Sequence, residues 1–312
     1  MLIYTPIAST MKKIMLLAAA CWLSWQTALA CDVCGCSIGG QYMGILPQFN
    51  SHMAGLRYQY RSFVTNHPAS LLENHGPLRS EEYFHTAELW GRAQLSKRWQ
   101  AFFFAPYHVF RQSGFGTKVS AIGDLQLMAN YAVLNTADSV RTLKQTLLVG
   151  AGIKVPTGRF QQDQAGELLN PNLQPGTGSW DFQLNTSYTL RYGKVGFNSE
   201  ATLRFNTANS NNYRFGNRIN AAAKVFYWQQ GRKLGWLPYA GLAVELAGVD
   251  TDGAGEQLSL TGGQLWLGEA GVDLYYQRFS IGAAMQVPVF QDLAGGLVDS
   301  GNRFSTRLSV FF

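Results

Sequence analysis

Residues 180–192 read WDFQLNTSYTLRY. Trp180, Phe182, Leu184, Thr186, Tyr188, Leu190 and Tyr192 fall on one face of an extended chain, and Asp181, Gln183, Asn185, Ser187, Thr189 and Arg191 fall on the other. Apolar–polar alternation with period 2 is the signature of a β-strand. The run is long for a soluble strand, which averages about 5–6 residues. It matches a tilted strand crossing a bilayer, which needs about 9–11. Tyr192-Gly193-Lys194 reads as a tight turn, and VGFNSEATLRFN (195–206) repeats the alternation. Trp180 and Tyr192 bracket one strand, and Trp266 and Tyr276 bracket another. Aromatic girdles of that kind sit at the two membrane interfaces of a barrel.

Extending the pattern in both directions predicts about twelve strands, near 52–64, 82–95, 99–111, 121–134, 142–157, 180–192, 195–206, 213–228, 236–247, 264–276, 279–290 and 303–312. An even count returns both ends of the sheet to one side. Even-numbered connections are mostly short, as at 96–98, 192–194 and 276–278, whereas 65–81, 158–179, 248–263 and 291–302 are long. Short turns on the periplasmic side and long loops outside are the barrel arrangement. The chain closes on RFSTRLSVFF, with Phe304, Thr306, Leu308, Val310 and Phe312 on one face. A last strand ending in an aromatic resembles the assembly signal of outer-membrane barrels, so Phe312 is expected to engage the barrel-assembly machinery. The predicted class is all-β: a transmembrane antiparallel barrel whose partners are outer-membrane lipid and a small-molecule solute.

Composition agrees. Only 14% of the 312 residues are charged, against roughly 25% in a typical soluble protein. Met11 to Ala30, MKKIMLLAAACWLSWQTALA, has two lysines, an apolar core and an Ala-Leu-Ala end, the three parts of a secretory signal peptide. The expected organisation is a signal peptide over 1–30 with Met11 as an alternative start, a Cys-rich periplasmic or plug segment over 31–50, and the barrel over 51–312. Loss of Lys12 and Lys13 leaves 23 basic residues against 19 acidic, a net charge of +4. With no basic run, nucleic acid is not an expected partner.

Alternation also assigns an interior. Its charged members are Arg57, Arg61, Glu88, Arg92, Asp124, Lys154, Asp181, Arg191, Glu200, Arg204, Arg218, Lys224, Glu245, Glu269, Asp273 and Arg307. Their signs are mixed, so no single-sign ring predicts steep ion selectivity, and structural ion pairing alone accounts for residues of this kind. Eight strands leave room for side chains only, and 16–18 leave an open channel. Twelve predict a narrow pore, or one plugged by the apolar segment SIGGQYMGILPQFN (37–50).

Two stretches, AIGDLQLMANYAVLN (121–135) and TLLVGAGIKVPTGRF (146–160), resemble the core of the outer-membrane barrel family named for the MetA pathway of phenol degradation. The match lies in Gly123-Asp124 and in Gly152, Lys154, Pro156, Thr157 and Gly158. The resemblance implies a barrel that takes up or expels small, often hydrophobic compounds.

Residues 29–40, LACDVCGCSIGG, stand apart from that resemblance. Cleavage after Ala30 makes Cys31 the first mature residue, with Cys34 and Cys36 following and no later cysteine. Three readings stay open. Thiolates at C-x-x-C-x-C suit Cu(I) or Zn(II), with Met43, His52 or Met53 as an added ligand. In an oxidising periplasm two would form a disulfide. Cys31 also lies where a lipid would attach. No catalytic triad spacing, H-E-x-x-H, phosphate loop or G-x-S-x-G occurs, and no catalytic residue is assigned. His67 and His75 share the first long loop, which as a solvated loop needs no metal. The expected function is a channel or transporter for a small solute. The alternatives are a metal-handling outer-membrane protein and a structural barrel without transport.

Overall fold

The computed structural model describes residues 51–67, 79–114, 116–136, 142–164 and 167–312. The signal peptide, Cys31, Cys34, Cys36, the segment 37–50 and His75 lie outside the described residues.

Twelve antiparallel strands form one closed sheet. They are β1 (Met53–Asn66), β2 (Arg79–Gln94), β3 (Trp99–Gln112), β4 (Thr117–Ile122, continued by Leu125–Asn135), β5 (Leu143–Val155) and β6 (Asp181–Tyr192). Then follow β7 (Val195–Phe205), β8 (Arg218–Tyr227), β9 (Leu234–Ala247), β10 (Gly263–Tyr276), β11 (Phe279–Leu293) and β12 (Val298–Ser300, continued by Arg303–Phe311). Each strand pairs with its sequence neighbours, and β1 closes the barrel on β12 with Met53 opposite Phe311 and Tyr60 opposite Phe304. Closure satisfies every strand edge, which a lipid environment requires because no water is there to pair with a free edge.

Alternation sets the two surfaces. Leu56, Leu89, Leu127, Leu184, Val225, Leu242, Ile281 and Leu308 all stand exposed on the outer wall. Exposed Trp99, Tyr192, Trp236 and Tyr276 lie at the end where the connections are short, and exposed Trp180, Phe205, Trp266 and Phe290 lie at the other. An apolar belt of this extent between two aromatic rims is incompatible with water and matches lipid. The chain is therefore an outer-membrane β-barrel.

Three details differ from the sequence reading. The strand expected at 213–228 begins at Arg218. Ahead of it, Asp250 captures the Tyr213 hydroxyl and the Gly216 N–H, each at 2.7 Å, and holds that stretch out of the ladder. The strand expected at 121–134 is interrupted at Gly123-Asp124. The third connection, at 113–116, is short for its side of the barrel. The two-residue turn at 193–194 carries Gly193 at φ 58°, where a residue without Cβ sits unstrained.

Candidate functional site: the lumen

The inward positions of all twelve strands converge on one lumen. At the short-turn end its wall is apolar on one side. Met53, Trp90, Phe102, Phe104, Met128 and Phe311 form one buried cluster, and Phe226, Leu237, Tyr239 and Ala284 form a second. Tyr275 packs against both, with its ring 6.4 Å from Phe311 and 5.3 Å from Trp228. The joined apolar arc runs from β8 through β12 to β4. Met53 is thus a core side chain, and His52 stacks on Phe312 at 5.8 Å.

Beyond that arc the wall is charged. Arg57 pairs with Glu88. Lys224 Nζ donates to Glu269 at 3.0 Å and lies 3.8 Å from Glu200. Arg307 binds Asp273 through Nε at 2.8 Å and Nη2 at 2.6 Å. Lys154 pairs with Asp181, and with Asp124 at 3.2 Å. Burying a charge without a partner costs several kcal/mol, so these inward charges come in matched sets. Of the other inward charges, Arg92 donates to the Ser51 carbonyl at 3.0 and 3.2 Å, and Arg204 to Gln126 at 3.2 Å. Arg218 lies 5.7 Å over the Phe215 ring. Arg191 is half-buried opposite Gly196.

Two of these pairs skip a strand. Lys224 on β8 reaches Glu269 on β10 across Gly241 of β9, and Arg307 on β12 reaches Asp273 on β10 across Gly282 of β11. A Cβ at Gly241 would stand 2.8 Å from Lys224 Cγ, and one at Gly282 would stand 2.7 Å from Arg307 Nε. Inward glycines leave the space through which the partners meet.

Sequence reasoning missed Arg303. It is 4% exposed, and its Nη1 donates to both Glu245 oxygens at 2.9 and 3.0 Å, tying β12 to β9. The signal was present: Arg303 shares the parity of Arg307 in RFSTRLSVFF. Glu82 was missed as well. Fully buried near the long-connection end, it accepts from Thr65, Ser80 and Gln112. Burial also holds His67, which contacts Ser80 there at 2.9 Å, below the usual histidine pKa.

The residues Gly123, Asp124, Lys154, Thr157 and Gly158 come together. Gly123 N–H turns to the Pro106 carbonyl at 2.8 Å, which breaks β4 and aims Asp124 inward. Asp124 then accepts from Gly158 N, Thr177 N and Thr177 Oγ1, each at 2.9 Å. Thr157 Oγ1 bridges Gly123 O at 3.2 Å and Leu125 N at 2.9 Å. The motif fastens both ends of the connection 156–180. Within that connection Asn172, Leu173, Gln174, Pro175 and Gly176 are buried, so it folds down onto the barrel.

One side of the lumen is more open. Ser187 and Thr189 on β6, Glu200 and Thr202 on β7, and Asn220 and Ala222 on β8 are half-buried, whereas inward residues elsewhere are mostly buried. A cavity of about 90 Å³ lies between this track and Gln59 and Arg61 of β1. Among the described residues no group of three His, Cys, Asp or Glu side chains is placed to hold a metal.

No protein-family model matches the chain, and no curated protein sequence matches it. Among solved structures it is similar to an outer membrane channel from Pseudomonas putida F1, with TM-score 0.59 and 16% identity over 84% of this chain and 96% of that one. The β domain of the Bordetella autotransporter BrkA gives TM-score 0.47 and 10% identity over 84% and 99%. At such identities the likeness to the Pseudomonas putida channel is one of fold: the closed barrel that the strand pairing and the exposed apolar belt also define.

Proposed function

We propose that this barrel is a narrow, passive outer-membrane channel for small polar solutes. The observation that carries the reading is the half-buried track of small polar side chains on β6–β8. Charges beside it are held in pairs, as Lys224 is with Glu269, and aromatics on the far wall are packed on one another. Small polar residues give a permeant hydrogen-bonding partners in exchange for its water, and paired charges line the path without trapping an ion. This wall favours a polar solute over the hydrophobic compounds implied by the family resemblance. The likeness to a solved outer membrane channel supports a conducting barrel of this size.

Planar-bilayer recording of the purified, folded chain tests the reading. Discrete conductance steps in KCl are expected. A folded protein that inserts without conducting would leave a structural barrel as the function.

The cysteine head carries a separate proposal. The C-x-x-C-x-C spacing supports capture of Cu(I) or Zn(II) by Cys31, Cys34 and Cys36. It is independent of conduction and has its own test below.

A further inference from the structure

We propose that the short-turn end of the barrel carries a cationic collar that binds the anionic headgroups of phospholipids in the adjoining leaflet. Short turns face the periplasm, so this is the inner leaflet of the outer membrane. The inference goes beyond conduction and does not depend on it.

The sign of the charges is the first observation. Four connections at the short-turn end are described in full: 95–98, 193–194, 228–233 and 277–278. They carry Lys97, Arg98, Lys194, Arg232, Lys233 and Arg278, all exposed, and no Asp or Glu. The opposite end mixes its signs, with Asp163, Glu256, Asp292 and Asp299 exposed there beside Arg111 and Arg159. Among the described residues none of the six collar cations has an ion-pair partner. A ring of like charge repels itself and draws counter-charge from outside the chain.

Its height on the barrel is the second. Each connection adjoins one outward aromatic of the short-turn rim. Arg98 precedes Trp99, Lys194 follows Tyr192 by two positions, Lys233 precedes Trp236 by three, and Arg278 follows Tyr276 by two. Rim aromatics sit at headgroup level, and a strand rises about 3.3 Å per residue. The charges therefore stand within a side chain's reach of the headgroups, and long Lys and Arg stems can bend toward them. Arg98 shows the arrangement. Its Nη1 donates to the Tyr131 hydroxyl at 2.8 Å, and its Cζ lies 5.9 Å from the centre of that ring. Tyr131 shares the outward parity of Leu127 and Ala129, so the contact holds the guanidinium on the lipid side of the wall.

Distribution is the third. The four connections join β2 to β3, β6 to β7, β8 to β9 and β10 to β11, which spreads the charges around the mouth. A protein partner engages one contiguous face, whereas headgroups surround a barrel on every side. The ring therefore fits lipid. Each Lys or Arg near an anionic leaflet adds its own attraction, which salt screens.

The purified, folded chain is reconstituted in vesicles of phosphatidylcholine and phosphatidylglycerol, with one lipid or the other brominated. Quenching of tryptophan fluorescence then reads which lipid occupies the rims. At low ionic strength the wild type should prefer phosphatidylglycerol by roughly threefold or more. About 1 M salt, with a Debye length of about 3 Å, should remove most of that preference. Lys97→Gln, Arg98→Gln, Lys194→Gln, Arg232→Gln, Lys233→Gln and Arg278→Gln combined should abolish it. Should that variant fail to fold, Arg232→Gln with Lys233→Gln replaces it and should lower the preference. Arg111→Gln with Lys118→Gln, at the opposite end, should keep most of it. Equal quenching by the two lipids in the wild type, or an undiminished preference in the collar variants, overturns the proposal, and so does its loss in the Arg111 and Lys118 variant. Capture of the wild type by immobilised poly-glutamate, without a lipid preference, would give the collar to an acidic protein and overturn it too.

Discussion

Arg307 and Asp273 meet over the bare backbone of Gly282: two hydrogen bonds, at 2.8 and 2.6 Å, join β12 to β10 although β11 lies between them. A methyl group at Gly282 would stand between the two side chains, 2.7 Å from Arg307 Nε. Gly282→Ala should therefore separate the pair while both charges stay buried, at a cost of about 3–5 kcal/mol. The urea midpoint of the folded barrel in detergent should fall accordingly. A midpoint equal to the wild type would show that the wall relaxes around a Cβ and that the glycine is incidental.

The same physics applies at Lys224, which serves Glu269 and Glu200 from a 1% exposed position. Lys224→Met should strand two carboxylates in the lumen and lower stability by about 3–5 kcal/mol at neutral pH. Lys224→Met with Glu269→Gln should recover much of that loss, because removing the pair together leaves less unpaired charge. A double variant no more stable than the single one refutes the pairing argument.

Asp124 fastens the connection 156–180 through Gly158 and Thr177. Hydrogen bonds to a charged acceptor contribute about 1.5–3 kcal/mol each. Asp124→Asn should loosen that connection by at least tenfold in its opening equilibrium, since about 1.4 kcal/mol is a factor of ten. Trypsin cleavage after the exposed Arg159 reads this directly. The barrel itself should stay intact. Unchanged cleavage would mean that the buried residues around Leu173 hold the connection without the carboxylate.

Ala222 faces the open track and Ala223 faces lipid. Ala222→Trp should cut single-channel conductance severalfold, and Ala223→Trp should leave it near the wild-type value. Equal conductance in both variants would place the permeation path elsewhere in the lumen.

For the cysteine head, native mass spectrometry of the mature chain should show one Cu(I) or Zn(II) that is absent from the Cys31, Cys34, Cys36 triple Ser variant. A mass two protons light would replace the metal proposal with a disulfide, and a diacylglyceryl adduct on Cys31 would replace it with a lipid anchor.

Removing Phe312 tests the assembly role. The residue stands exposed at the end of β12, where its backbone exchanges two 3.0 Å hydrogen bonds with His52. Its deletion should lower the amount of folded barrel in cells while leaving refolding of the purified chain in detergent nearly unchanged. Equal loss in both settings would make Phe312 a stability residue and no assembly signal.

Much of this architecture is written locally. WDFQLNTSYTLRY alone states a strand, its two faces and its length, because side chains alternate across an extended chain whatever its neighbours do. Repeated twelve times, that rule set the strand count and placed Arg57, Lys224, Asp273 and Arg307 on a common interior parity. It failed where a long-range contact overrode it. Tyr213 and Gly216 read as strand until Asp250, on a distant connection, captured them, and Gly123-Asp124 read as strand until the connection 156–180 took hold of the carboxylate.

Pairing itself was never local. Glu245 and Arg303 lie 58 positions apart and on strands that are not neighbours. Their meeting depends on the register around the closed barrel and on which intervening positions carry small side chains. Parity belongs to the single strand and follows from covalent geometry. The choice of partner and the space left over Gly241 and Gly282 arise only once twelve registers are summed into a closed wall.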